Sequence, residues 1–152
     1  MKKSIIFAAM LALLISTGNS LAAEPSIVGV WATTSQKAPN EGKVSSHIEI
    51  TEQNGVYSGK IVKLFLNPSD TKCEKCPGDR KGKPILGMTI VTNMKKTGVS
   101  GGVPEFGGGK LLDIEGGGRE VNCTMWPEGP SKLKLKASIA FISKTLYWTR
   151  IQ

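Results

Sequence analysis

Ser45-Ser46-His47-Ile48-Glu49-Ile50-Thr51, with Asn54-Gly55 three residues on and an apolar run from Val56 to Phe65 behind it, sets the fold class of this chain. Ser46, Ile48 and Ile50 fall on one side of an extended backbone; Ser45, His47, Glu49 and Thr51 fall on the other. Successive side chains of a strand point to opposite faces, so a period of two marks a half-buried strand rather than a helix. Asn-Gly suits the positive φ angles of a tight turn. Residues from about 44 to 65 therefore read as a β-hairpin.

The same logic extends in both directions. Upstream, Val28-Gly29-Val30-Trp31 opens the first strand. Downstream, residues 66–84 dissolve into Pro, Gly, Asp and Lys around Cys73-Glu74-Lys75-Cys76-Pro77-Gly78, a long loop. Apolar residues resume from Ile85 to Met94, with a turn predicted near 96–98 and a glycine-rich passage to Gly109. Residues 110–114 and 120–126 form the next strand candidates, separated by Gly116-Gly117-Gly118, and Val121, Cys123 and Met125 share a face. After the break at Pro127-Glu128-Gly129-Pro130, Leu133, Leu135, Ala137, Ile139 and Phe141 alternate against Lys132, Lys134, Lys136 and Ser138. A last strand covers about 144–151. Short strands at regular spacing imply an antiparallel barrel or sandwich. Closure removes the adhesive edges of a small open sheet, so the expectation is all-β, a single antiparallel β-barrel of about eight strands.

Lys2 and Lys3, the apolar run from Ile5 to Ile15 and the small residues ending at Ala22 and Ala23 form the three regions of a secretory signal peptide. The apolar run falls short of the ~20 residues a bilayer span requires. The expectation is a leader over 1–23, cleaved after Ala22 or Ala23, and a barrel domain over 24–152 that is periplasmic or secreted, with no stable membrane insertion. The net charge of +8 falls to +6 once Lys2 and Lys3 leave. Three arginines and scattered lysines, with no basic tract, argue against nucleic acid as a partner. Weak contact with an anionic surface stays open.

An oxidising compartment permits a disulfide. Cys73 and Cys76 are close together in a loop, whereas Cys123 shares an inward face, so a Cys73–Cys76 bond and a buried free Cys123 are predicted. A redox Cys-x-x-Cys needs its thiolate at a helix N-terminus, and Pro77-Gly78-Asp79-Arg80 starts no visible helix. A zinc site would have to recruit Cys123 and His47, without the second paired motif of a ribbon. His47, the one histidine, falls on a polar face. Gly107-Gly108-Gly109-Lys110 lacks the first glycine and the Ser or Thr of a phosphate loop, with Pro104 and Leu111 in those places. The spacing of Glu105, Asp113, Glu115 and Glu120 fixes no carboxylate pair. No catalytic set, metal site or cofactor is predicted.

The order Val28-Gly29-Val30-Trp31, Gly59-Lys60-Ile61-Val62, Lys83-Pro84-Ile85-Leu86-Gly87-Met88, Gly108-Gly109-Lys110-Leu111-Leu112-Asp113, Leu133-Lys134-Leu135 and Trp148-Thr149-Arg150 resembles the bacterial secreted family known as domain of unknown function 2147. The likeness covers nearly the whole mature chain. It implies a calycin-like, lipocalin-like barrel in which Gly29 and Trp31 open the first strand and Trp31 lies against Arg150 from the last. The chain departs from the family pattern at Asp113-Ile114, where Asp-Pro is usual, and at Arg119-Glu120-Val121, which stands near the family's Lys-x-Tyr. It departs again at Lys136-Ala137-Ser138-Ile139-Ala140, where Arg-Gly-Tyr-Ile-Gly is usual.

Barrel interiors and mouths are common sites for small molecules. The functional expectation is a small hydrophobic ligand lined by Ile48, Ile50, Met125, Leu133, Leu135 and Ile139. The alternative is a cell-envelope interaction module with a filled core, docking on a protein, a glycan or an anionic surface through its loops and lysines. An enzyme of undefined class ranks third.

Overall fold

The computed structural model describes residues 24–152; the leader expected over 1–23 lies outside the described residues. Eight strands follow in chain order: β1 (Gly29–Thr34), β2 (Val44–Gln53), β3 (Val56–Leu64), β4 (Thr89–Ser100), β5 (Val103–Asp113), β6 (Arg119–Glu128), β7 (Lys132–Ile139) and β8 (Ile142–Arg150). Each pairs antiparallel with the next, and β8 returns to β1 through Trp31↔Arg150 and Ala32↔Thr149, closing the barrel. One 3-10 turn, Gly78–Arg80, interrupts the loop between β3 and β4. Among the described residues no helix is long and apolar enough to cross a membrane.

The β2–β3 hairpin forms as its sequence dictates: Asn54 and Gly55 adopt φ of 53° and 77°, the left-handed pair that a two-residue turn of this twist demands. Elsewhere the strands exceed their sequence signal. β4 continues through the turn expected near 96–98 and reverses at Gly101-Gly102 instead. The passage at Gly107-Gly108-Gly109 belongs to β5, not to a loop. A side chain on Gly109 would run into the Thr92 carbonyl and the Met94 sulfur on β4. Close strand approach, rather than a turn, thus selects glycine there. Phe141 sits in the β7–β8 turn rather than on the alternating face, since Ile139 and Ile142 are register partners across it.

One end of the barrel is sealed. Trp31 is fully buried, and its indole Nε1 donates to the Ile27 carbonyl at 2.8 Å. The Arg150 guanidinium lies 4.1 Å from the Trp31 ring centroid. It donates from Nε to the Pro130 carbonyl at 2.8 Å, from Nη1 to Val28 O at 2.6 Å and from Nη2 to Ser26 O at 2.6 Å. One side chain therefore ties the segment before β1, the β6–β7 turn and β8 to one aromatic plate. Partial burial lowers the Arg150 pKa, with three carbonyls offsetting lost hydration. Gly29 is required beneath it: its φ is 138°, and a methyl group would collide with the guanidinium and the Gln152 carbonyl.

The opposite end carries the β1–β2 loop, the long residues 65–88, the β5–β6 turn and the β7–β8 turn. Cys73 and Cys76 are disulfide-bonded with Cα atoms 5.4 Å apart, and both are buried. Gly118 of the β5–β6 turn abuts the Lys75 carbonyl between them, seating the bridge against the barrel. Cys123 is free and buried on the inward face of β6. Burial pushes its thiol up to about 12, which leaves it protonated and unreactive.

Candidate functional site

Above the packed core the barrel opens into a cavity of about 310 Å³. Each wall is a strand end whose alternation points a side chain inward: Leu111 and Asp113 from β5, Arg119 and Val121 from β6, Ala137 and Ile139 from β7, and Ile142, Lys144 and Leu146 from β8. Depth separates them by chemistry. Leu111 and Val121 are buried, and Ala137 and Leu146 half-buried, so the floor is apolar. Arg119, Ile139, Ile142 and Lys144 are exposed and form the rim.

The β1–β2 loop closes the remaining side. The Gln36 backbone N–H donates to Glu115 Oε2 at 3.0 Å, and Lys37 Nζ donates to the Glu115 carbonyl. Asp113 Oδ1 accepts the Gly116 N–H at 2.7 Å, which shapes the glycine turn. Both acidic side chains at the mouth are thus engaged by backbone donors. Arg119 and Lys144 enter no ion pair among the described residues. A smaller recess of about 120 Å³ adjoins, sharing Gln36, Leu111 and Leu146. There Thr33 Oγ1 bonds Ser46 Oγ at 2.8 Å and Ser45 Oγ at 2.9 Å. These hydroxyls satisfy one another and present no unpaired polar atom. Among the described residues no three metal-ligating side chains converge.

Ile48, Ile50, Met125, Leu133 and Leu135 all lie in the packed core, fully or almost fully buried, and line no part of the cavity. Ile139 does line it, at the rim. Alternation identifies the inward face of a strand but not depth along the barrel axis, and the floor residues Leu111 and Leu146 share their face with core residues. Arg119 and Lys144 escaped a hydropathy reading because charges are assigned outward by default. A signal was present: Lys144 has the parity of Leu146 and Trp148, both inward.

A closed eight-stranded meander, sealed at one end by a tryptophan and an arginine and open at the other, is a lipocalin-like barrel. A solved structure described as "Protein HP1028 from the human pathogen Helicobacter pylori belongs to the lipocalin family" matches it with a TM-score of 0.68, covering 84% of each chain at 17% sequence identity. At that identity the likeness is one of fold. The chain belongs to the bacterial family described as "Uncharacterized protein conserved in bacteria (DUF2147)", whose model matches residues 29–150, from the first residue of β1 to the last of β8. No curated protein matches the sequence significantly.

Proposed function

We propose that this chain is an exported binding protein that takes a small, mainly apolar molecule bearing one acidic group into the open end of its barrel. The observation that carries this reading is the cavity's division into an apolar floor, Leu111, Val121, Ala137 and Leu146, and a rim holding Arg119 and Lys144, which have no ion-pair partner among the described residues. An apolar body desolvates the floor at about 25 cal/mol per Å². An anionic head answers the two cations, most strongly through the planar fork of Arg119. The volume, about 310 Å³, is at the small end of the roughly 300–1,000 Å³ usual for ligand pockets, which favours a compact ligand or one whose tail stays partly outside. The lipocalin-like fold supports binding over catalysis, as does the fully hydrogen-bonded hydroxyl cluster at the recess.

Native mass spectrometry of the mature, exported protein is expected to show an added mass lost on denaturation. A medium-chain fatty acid is the probe for the apo form. Ala137→Phe fills the floor and is expected to weaken its binding by more than about tenfold, while Arg119→Gln and Lys144→Gln each weaken the acid but not the matching alcohol. A bare native mass together with no fatty-acid binding, or binding indifferent to Ala137→Phe, would overturn the proposal.

A further inference from the structure

The β7–β8 turn spends apolar surface in a way no folding argument requires. Phe141 is 106% exposed and Ile142 73%, with Ile139 beside them at 38%. These three and Ala140 make a continuous apolar tip on a turn that residues of any polarity would form. Ala140 holds a φ of 49°, a left-handed conformation that disfavours any residue with a Cβ. The tip thus costs stability twice, through hydration of a phenyl ring and through backbone strain, and such costs cluster at working sites.

The charged side chains on its own two strands have one sign. From Ser131 to Gln152 the chain holds Lys132, Lys134, Lys136, Lys144 and Arg150 and no acidic residue. Lys136 and Lys144 flank the tip on its two strands, and Arg119 stands on the same rim. The loop at residues 65–88, at the same end of the barrel, adds five basic side chains against three acidic ones. Asp113 and Glu115 are the acidic groups nearest the mouth, and backbone donors already hold both. An apolar, aromatic tip inside a cationic collar is the arrangement that enters the headgroup region of an anionic bilayer, with the ring among the acyl chains and the ammonium groups at the phosphates.

We propose that the tip formed by Ile139, Ala140, Phe141 and Ile142 is a membrane-docking element that seats the open end of the barrel on an anionic lipid surface. A second copy of the chain is the poorer occupant. Four tip residues fall far short of the ~800 Å² per partner of a stable interface, and two lysine-rich hairpins repel each other. Because Ile139 and Ile142 also line the cavity, docking holds the mouth against the bilayer, where an amphipathic ligand can pass between the two without crossing water. The docking shares Ile139, Ile142, Arg119 and Lys144 with the cavity wall, whereas Phe141 and Lys136 line no part of it, so variants at those two positions separate the docking from the ligand reading.

The test is sedimentation of the mature protein with sucrose-loaded vesicles of phosphatidylglycerol and phosphatidylcholine, against phosphatidylcholine alone, at low and physiological salt. Binding is expected to the anionic vesicles and to weaken with salt. The double variant Phe141→Ser/Ile142→Ser is expected to lose at least about tenfold in partitioning, because it removes the buried apolar surface. Lys136→Gln and Lys144→Gln are each expected to lose about fivefold. All four positions are exposed, so circular dichroism and thermal melting are expected to match the parent. In a Phe141→Trp variant, lipids brominated in the acyl chain are expected to quench an added, blue-shifted emission. Failure of the parent to bind anionic vesicles overturns the proposal. So does binding unchanged by the double tip variant, or a tip-dependent dimer in lipid-free sedimentation velocity.

Discussion

The two ends of this barrel are built from the same eight strands with the same alternation, yet they do opposite things with it. At the sealed end the inward positions hold Trp31, Leu133 and Trp148, and Arg150 adds four polar and aromatic contacts over them. At the open end the inward positions of the same strands hold Ala137, Ile139, Ile142 and Lys144, which are too small, too exposed or too charged to fill the space. Packing and hydrogen bonds gather where β1 meets β8, and open space is left where the loops gather. The binding role proposed above would use that division, because a ligand could then enter without opening the fold.

The sharpest way to break the comparison is at Trp31. Trp31→Ala removes a fully buried indole with its hydrogen bond to Ile27 and the platform under Arg150, and is expected to cost about 3–5 kcal/mol in chemical denaturation. Arg150→Lys keeps the charge but loses the fork that reaches Ser26, Val28 and Pro130 together, and is expected to cost about half as much. Ala137→Phe at the open end serves as the contrast, with binding lost and the denaturation midpoint held. Equal losses of stability at the two ends would show that the barrel does not divide its labour in this way.

A smaller effect tests the open end itself. Converting both Cys73 and Cys76 to Ser removes the bridge that Gly118 abuts, and the loop it closes is very short. The expected loss is at the low end of the usual range, about 2 kcal/mol or less. It is expected to appear first as faster proteolysis within 65–88 and only second in the global midpoint. Cys123 provides an internal gauge: its thiol is expected to resist alkylation at pH 8 until the barrel unfolds, in parent and variant alike. Labelling of Cys123 in the folded variant would mean that the bridge holds the barrel wall and not merely the loop.

The difference between the ends also explains what the sequence made legible. Hairpin chemistry at Asn54-Gly55 and the parity of Ile48 with Ile50 point to antiparallel strands because strand period and turn dihedrals are local properties, whereas the contact of Trp31 with Arg150 is legible only through the family resemblance. The cavity is not local. Whether Leu146 lines a void or touches a neighbour depends on residues contributed by four other segments, among them Gln36 and Val121. The turn at Gly101-Gly102 was masked by the glycines of β5, which carry no alternation to read. Phe141 illustrates the converse trap: it is an apolar residue of the right parity for a face that ends two residues earlier, at Ile139.

The smallest expected effect is a pH dependence on the outer wall of the open end. His47 is paired in register with Lys63 on β3 and with Ala32 on β1, and its ring lies 4.6 Å from that of Phe65. The Lys63 ammonium lies 4.8 Å from the same Phe65 ring. Partial burial, and secondarily the Lys63 charge, lower the His47 pKa below the ordinary 6.5. Neutral imidazole is thus favoured in the fold, while the unfolded chain takes up its proton at a higher pH. Between those two values the unfolded state binds more protons, so stability rises with pH through the window below 6.5 and is lost as pH falls through it. His47→Gln is expected to flatten the denaturation midpoint between about pH 7.5 and pH 5.5, above the range in which carboxylates titrate. Lys63→Gln is expected to flatten it only in part, since burial is the larger cause. A parent midpoint that is level across the window, or a slope that survives His47→Gln, would show that the histidine is as solvated as its polar strand face suggests, and that titration at this wall leaves the open end untouched.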